Sequence, residues 1–399
     1  MEKWFSDSLK SLDGWLEAND CRGFDPYDLL GTKFYLAVSS VSIILRDSLK
    51  KDARRLTYPF RFPAIHSPKL MRRAFRIRPQ YNAKALALFA RGYLNLYRRT
   101  GGKYLEKALK ALEWLTKNCS RGYSGYCWGY PFDWMSRIFV PKETPSVVVS
   151  SIAANAFVDA YEILGDRKYL DVAESTCDFL LNDLNIDVVN EDMICFSYTP
   201  LDHFHVHNAN LLGASLLARV YAHTKREEHG RLTEKAVRFA TYHQNRDGSW
   251  YYWAPPDRLL YTIDNYHTGF NLEHLYVIKN VLKGKFCYGG NLEKGAEYYR
   301  RNLFVNDAIP KFTPRSLYPI DIHNAAQGIV TFSMLSELNP QYAKVAENIA
   351  KWTIVNMRSE DGYFYYRIYR HRIDKMPYVR WGQAWMLYAL ARLIDIVSE

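Results

Sequence analysis

The chain has 399 residues, long enough to bury a large core without help from metal ions or disulfides. Hydrophobic residues make up 48% and charged residues 24%, a balance that excludes a disordered chain. Lys plus Arg outnumber Asp plus Glu by 53 to 42, a net charge of +11, and the six cysteines form no CxxC pair, which argues against a zinc module or a disulfide scaffold.

The N-terminus, Met1-Glu2-Lys3-Trp4-Phe5, lacks the basic start and apolar run of a signal peptide. The best membrane candidate, Phe34 to Leu45, is about a dozen residues with three serines, against the roughly 20 apolar residues of a spanning helix. The expectation is a soluble, cytoplasmic protein with no transmembrane segment. From Lys50 to Arg78 the sequence carries ten basic residues and one acid, Asp52, which accounts for nine of the eleven net charges. Such a patch suits a polyanion, an anionic membrane surface or an acidic polysaccharide, or is a solvated loop. Pro59, Pro63, Pro68 and Pro79 predict extended pieces rather than a basic recognition helix. No nucleic-acid module accompanies the charge, so no nucleic-acid partner is expected.

Beyond residue 80 a repeat organises the chain: an apolar helix, a short turn, a second helix, then an aromatic coil. The turn and second helix read Thr100-Gly-Gly-Lys-Tyr-Leu-Glu-Lys-Ala and Leu164-Gly-Asp-Arg-Lys-Tyr-Leu-Asp-Val-Ala, with weaker copies near 231, 291 and 341. The coils read Gly122-Tyr-Ser-Gly-Tyr-Cys-Trp, Asp247-Gly-Ser-Trp-Tyr-Tyr and Asp361-Gly-Tyr-Phe-Tyr-Tyr. The first helices, near 82–99, 147–164, 207–224, 267–283, 323–338 and 380–397, are apolar nearly all round and belong inside. The second helices carry one apolar stripe and a charged back, so they belong outside. Six inner helices and five outer ones leave one vacancy, which the segment 32–50 is expected to fill. The predicted fold is all-α: an (α/α)6 toroid of six helical hairpins over 81–399, with residues 1–80 closing the ring and adding the basic segment.

In such a ring every inner helix starts at the same rim, so polar residues at those starts converge. Three starts are alike: Asp202 to His207-Asn208, Asp264-Asn265-Tyr266-His267 and Asp321-Ile322-His323-Asn324. Their histidines lie 60 and 56 residues apart, about one repeat each. The sixth start carries Arg380-Trp381-Gly382-Gln383, and Glu273 and Gln327 follow within the fourth and fifth helices. Any single Asp before a helix reads as an N-cap. Three Asp–His doublets beside Arg380 read as catalytic, since capping needs no histidine. His203, His205 and His207 alternate as metal ligands do in extended chain, but only His207 recurs, and no metal or cofactor is expected. Trp128, Asp133 and Trp134, with Arg137 behind, and Trp250 offer flat rings and polar edges for sugar stacking.

The segments Trp128-Gly-Tyr-Pro-Phe-Asp-Trp134, Val206-His-Asn-Ala-Asn-Leu-Leu-Gly-Ala, Ile263-Asp-Asn-Tyr-His-Thr-Gly-Phe and Leu317-Tyr-Pro-Ile-Asp-Ile-His-Asn-Ala-Ala-Gln carry a resemblance. Over roughly 80–399 the chain resembles polysaccharide-biosynthesis-associated proteins of the six-hairpin class. At fold level it is similar to six-hairpin glycosidases, uronate lyases and sugar epimerases. That likeness implies a saccharide partner, an oligosaccharide or polysaccharide, and the basic segment fits one of acidic character.

The leading expectation is glycoside hydrolysis by paired carboxylates, Asp264 and Asp321, with Asp202 and Asp133 in reserve. The alternative is a uronate lyase or C5-epimerase with His207, His267 or His323 as base, and Arg380, Asn265 or Asn324 neutralising the substrate acid. A non-catalytic glycan-binding or assembly factor would keep Trp128, Trp134 and Trp381 and use its acids as caps. A terpene cyclase shares the toroid, but the DxDD and DDxxD runs it needs are absent from the sequence.

Overall fold

A computed structural model describes residues 3–49, 54–256, 262–283 and 290–397 of the chain. Lys50, Lys51, Asp52 and Cys287 lie outside the described residues. The described residues hold fifteen α-helices and one π-helical turn. In chain order these are α1 (Lys3–Ala18), α2 (Lys33–Leu49), α3 (Arg54–His66), α4 (Pro68–Ala74), α5 (Ala83–Thr100), α6 (Tyr104–Lys117), α7 (Val147–Leu164) and α8 (Arg167–Asn182). There follow α9 (His207–Thr224), α10 (Glu227–Tyr242), α11 (Asn265–Val281), α12 (Asn291–Leu303), α13 (Ile322–Leu335), α14 (Gln341–Met357) and, after the π turn Val379–Gln383, α15 (Ala384–Val397).

The inner ring is α5, α7, α9, α11, α13 and α15, each packed on the next, with α15 returning to α5. Their burial follows from composition: Ala, Leu, Val and Ser turn to neighbours on every side, and α13 is buried over its whole length. Each inner helix is backed by the outer helix that follows it, α6, α8, α10, α12 and α14. The expected toroid is present, and the inner helices fall within a few residues of their predicted positions. The aromatic coils hold short antiparallel ribbons, among them Ile186–Asn190 with Met193–Phe196, and Ile320–Asp321 with Arg367–Ile368. Helix α7 is long and apolar enough to cross a membrane, yet it is 72% buried inside the ring.

Two expectations for the first 80 residues need correction. The sixth outer helix is α1, which packs on α15, and not the segment 32–50. The reason is the stripe Phe5, Leu9, Leu12 and Leu16, which recurs every three or four residues and is buried in the main core. Helix α2 packs instead on α3 and on the ribbon strand Trp134–Met135, beside the rim. Secondly, the basic segment is helical rather than extended. Pro59 and Pro63 both lie inside α3, four residues apart, so their missing N–H groups fall on one side. Pro68 opens α4, where an N–H would have no partner in any case. One of the ten basic residues is no solvated charge: Arg72 is buried against Asp28 at 2.6 Å.

If α1 closes the ring, Leu12→Ala should cost about 2–5 kcal/mol, while Val41→Ala on exposed α2 should change stability by no more than about 0.5 kcal/mol. Chemical denaturation of the two variants checks the assignment, and equal losses would contradict it.

Candidate active site

A cavity of about 320 Å3 opens at the rim where the inner helices begin. Every inner helix contributes its first turns: Lys84 from α5, Val148 from α7, Asn208 from α9, His267 and Phe270 from α11, His323 from α13, and Trp381 from the π turn before α15. Tyr27, Leu30 and Ser39 of the N-terminal segment complete the wall, with Trp134, Tyr130, Tyr198, Tyr252 and Tyr266 from the coils. A second cavity of about 390 Å3 is lined by the middle and later turns of the same helices. Its charges largely pair with one another: Arg91 with Asp159 at 2.7 Å, and Arg219 with Asp159 at 2.8 Å and Glu162 at 2.6 Å. The rim cavity is therefore the candidate site.

His267 of the cavity wall forms a dyad with Asp264, which does not itself line the cavity. Asp264 caps α11, accepting from the His267 backbone N–H at 3.0 Å, while its second oxygen holds His267 Nδ1 at 2.7 Å. That bond fixes the ring and leaves Nε2 as its other functional nitrogen. His323 differs. It stacks between Tyr266 at 4.5 Å and Trp385 at 4.8 Å, and neither ring nitrogen has a hydrogen-bond partner. Burial, then the positive charges of Lys84 and Arg380, push its pKa well below the ordinary imidazole value, so it is neutral.

Two cations adjoin these rings. Lys84 is buried and sits near the faces of Phe270 and Trp385, with its ammonium 5.6 and 5.4 Å from the ring centres. Burial, reinforced by Arg380, lowers its pKa from 10.5 to about 7. Arg380 lies over Tyr130 and is paired with Asp25. Burial works against its charge, but Asp25 and Tyr130 outweigh it and hold the guanidinium pKa above its usual value.

The carboxylates the sequence singled out are all engaged. Asp321 is fully buried, caps α13 through the His323 N–H at 2.9 Å, and accepts from Trp381 Nε1 at 2.8 Å and Arg367 Nε at 2.6 Å. Strand register places Arg367 there, since Asp321 and Arg367 are partners in the ribbon. Asp202 lines the cavity, but its oxygens accept from the backbone N–H groups of Tyr198, Thr199 and Phe204 and from the Thr199 hydroxyl. Asp202 thus clasps its own loop and does not cap α9, whose first residue is preceded by Val206. Only one of the three Asp–His doublets, Asp264–His267, is joined through side chains.

Of the expected residues, Trp134, Asp202, Asn208, His267, His323, Arg380 and Trp381 line the cavity. The rest do not reach it. His207, expected as a possible base, turns between α9 and α10, with its ring near Phe239 and His243. Trp128 and Trp250 are core residues, each donating its indole N–H to an outer helix, at Leu115 and Ala240 respectively, both at 2.9 Å. They pin a coil to a helix end and offer no face to a ligand. Asp133 accepts from the Lys142 N–H at 2.7 Å. Asn265 bridges Leu303 and Tyr299, and Asn324 donates to the Lys311 carbonyl. Gln327 bonds Glu273 at 2.8 Å, and Gln383 holds both backbone groups of Phe364 at 2.8 Å. His203 and His205 share Asp187, at 2.8 Å each, apart from His207. Among the described residues no three His, Cys, Asp or Glu side chains are grouped to hold a metal ion.

Sequence reading missed Lys84, Tyr27, Asp25 and Arg367. Lys84 left one trace, a lone lysine in the run Ala83 to Ala90 of an otherwise apolar inner helix. Asp25 and Arg380 are 355 residues apart and no local pattern joins them.

No protein-family model and no curated protein matches the sequence. Solved structures do match the fold. A sugar epimerase from a ruminal bacterium is 13% identical with a TM-score of 0.60, over 78% of this chain and 87% of that one. A family 88 glycosyl hydrolase from Bacteroides vulgatus is 12% identical with a TM-score of 0.58, over 78% and 91% of the two chains. A polysaccharide lyase is 12% identical with a TM-score of 0.57, over 79% and 90%. The chain shares the six-hairpin toroid of these proteins.

Proposed function

We propose that the chain is a carbohydrate-active enzyme that moves a proton at a sugar carbon adjacent to a carbonyl or carboxylate, as in epimerisation, isomerisation or uronate elimination. The observation that carries this reading is the set of groups facing one cavity: a carboxylate-oriented His267, a neutral His323 and the two cations Lys84 and Arg380. Fold likeness to proteins named as an epimerase, a hydrolase and a lyase supports a saccharide substrate but does not choose among reactions.

Nε2 of His267 takes the proton from the carbon acid, and Asp264 stabilises the imidazolium that forms. The electron pair released from the C–H bond moves to the carbonyl or carboxylate oxygen, where Lys84 and Arg380 meet the developing charge. In epimerisation the carbon takes its new proton from His323 after that ring has picked one up from water, and His267 returns its own to water; in elimination the His267 imidazolium gives its proton to the departing oxygen. The tyrosines and Trp134 supply flat faces edged by hydroxyls for the sugar ring. Lys84 and Arg380 also suit a substrate that is itself acidic.

Hydrolysis by paired carboxylates keeps one specific support, since Asp202 lines the cavity. Its oxygens are already occupied by four donors, and Asp264 and Asp321 are committed to His267, Trp381 and Arg367. In the histidine reading Asp264 keeps its bond to His267 and Arg380 its pair with Asp25.

His267→Ala and His323→Ala should each lower turnover by about 10²–10⁴-fold with the fold intact. Asp264→Asn, which keeps the helix cap, should lower it by a smaller factor. The assay is solvent deuterium entering the sugar across a panel of aldoses and uronates, with ultraviolet absorbance reporting elimination. Release of reducing sugar that survives both histidine variants and is lost in Asp202→Asn would favour hydrolysis instead.

The lowered lysine sets a pH dependence. Lys84 carries its charge below about pH 7 and loses it above, so charge stabilisation declines as pH rises through about 7. An alkaline limb in kcat/KM is expected there, and Lys84→Arg should move it upward by retaining the charge. In the unfolded chain the same lysine titrates at 10.5, so from about 7 to 10.5 the unfolded state binds the extra proton. Stability is therefore expected to rise with pH across that window, and Lys84→Met should remove this slope in pH-dependent melting.

A further inference from the structure

Helix α2 is inside out. Its apolar residues Phe34, Ala37, Val41 and Ile44 recur at helical spacing on the solvent side, with Phe34, Val41 and Ile44 exposed by 45%, 50% and 62%. The inward side carries Tyr35, Ser39 and Ser42, all buried, and Ser39 lines the cavity. An amphipathic helix on a protein in water presents the opposite pattern. Exposed apolar side chains also occur on α3, where Tyr58 and Phe62 lie one turn apart on one side and Phe60 on the other, and on α4 with Leu70. Phe62 stacks on His66 at 4.0 Å, so the aromatic group is ordered on the surface rather than tucked beneath it.

The same segment is the most basic in the chain. Lys33, Lys69, Arg73, Arg76 and Arg78 are exposed, and residues 54–80 contain no acid at all. We infer that the face formed by α2, α3 and α4 docks the protein on an anionic lipid bilayer, with the apolar stripe in the headgroup boundary and the lysines and arginines on lipid phosphates. Large apolar side chains rimmed by basic ones are the chemistry of an interfacial helix. A hydrated acidic polymer would satisfy the charges but give Phe34, Val41 and Ile44 nothing to bury against. A second copy of the chain would cover the stripe but would bring two strongly cationic faces together. Spanning does not fit: the apolar stretch of α2 is only Lys33–Leu45, against the roughly 20 residues of a spanning helix, and its inner side is buried in the protein. The helix therefore lies flat, and the inference does not depend on which reaction the cavity performs.

Co-sedimentation with vesicles tests it, using the full chain. The protein is expected to pellet with phosphatidylcholine–phosphatidylglycerol vesicles, weakly with phosphatidylcholine alone, and less as salt rises. Val41→Glu with Ile44→Glu, both on the solvent side, should weaken binding roughly tenfold or more while melting behaviour is unchanged. Lys69→Glu with Arg73→Glu should weaken it as well and flatten the salt dependence. Wild-type protein that stays in the supernatant with phosphatidylglycerol vesicles at low salt overturns the inference. So does vesicle binding that survives Val41→Glu/Ile44→Glu, and so does a wild-type dimer in light scattering that this variant dissociates, which would make the stripe a subunit interface.

Discussion

Everything at the rim depends on the inner helices packing closely enough to close a ring. The contact of α15 with α5 completes the circle, and Gly92 lies in it. A side chain added at Gly92 would touch Leu387 and the Tyr388 backbone at 3.4–3.5 Å. At Gly269 the crowding is sharper, with Gln327 at 2.6 Å and the Tyr299 hydroxyl at 2.7 Å from an added Cβ. Close approach of this kind leaves no solvent between helices, so a polar side chain near the start of an inner helix either bonds to its neighbours or faces the axis. Lys84 and His323 face the axis. Asn265 and Gln327 bond to neighbours, which is why side chains so similar in sequence position end in different roles.

This division also marks what the sequence could reveal. The period of apolar helix, turn and charged-backed helix is a local signal, and it predicts the toroid and the shared rim. Asp264 and His267 are three residues apart, a spacing that one turn of helix turns into a contact, so their pairing is legible. The fates of Trp128 and Trp250 are not, because an indole that stacks on sugar and one that donates to a helix carbonyl look identical in sequence. The choice of α1 over 32–50 as the closing helix was readable in principle: Phe5, Leu9, Leu12 and Leu16 make one stripe, whereas α2 carries serines on one side and apolar residues on the other. Arg367 meets Asp321 through a strand register, and Asp25 meets Arg380 across nearly the whole chain, and neither leaves a local pattern.

The buried ion pairs tie the N-terminal segment to the ring. Arg380 pairs with Asp25, and Arg72 with Asp28 at 2.6 Å. Removing two charges from water costs several kcal/mol each, and their attraction roughly repays it, so such pairs contribute little net stability. Their effect is positional. Asp25 sets the guanidinium of Arg380 over Tyr130 at the cavity wall, and Asp28 and the Asp25 carbonyl hold Arg72 at the start of the basic segment. One short stretch, residues 25–28, thereby fixes both the cation beside the histidines and the helix that carries Leu70 and Arg73.

The inverted pattern of α2 follows from its position between two polarities. Ser39 offers the cavity wall a small polar group, and Ser42 is buried on the same inward side of the helix. With its polar residues committed inward, the apolar residues of a mixed helix have only the outer face left. A soluble protein can correct this by placing charge at 34, 41 and 44, which costs nothing to the cavity. The chain instead keeps Phe, Val and Ile there and sets its densest run of arginines immediately after. Exposed apolar area of that extent is unfavourable in water by roughly 25 cal/mol per Å2 and becomes favourable once lipid covers it. The sequence of the N-terminal segment is thus consistent at both of its surfaces only when the inner one meets the cavity and the outer one meets something apolar and anionic.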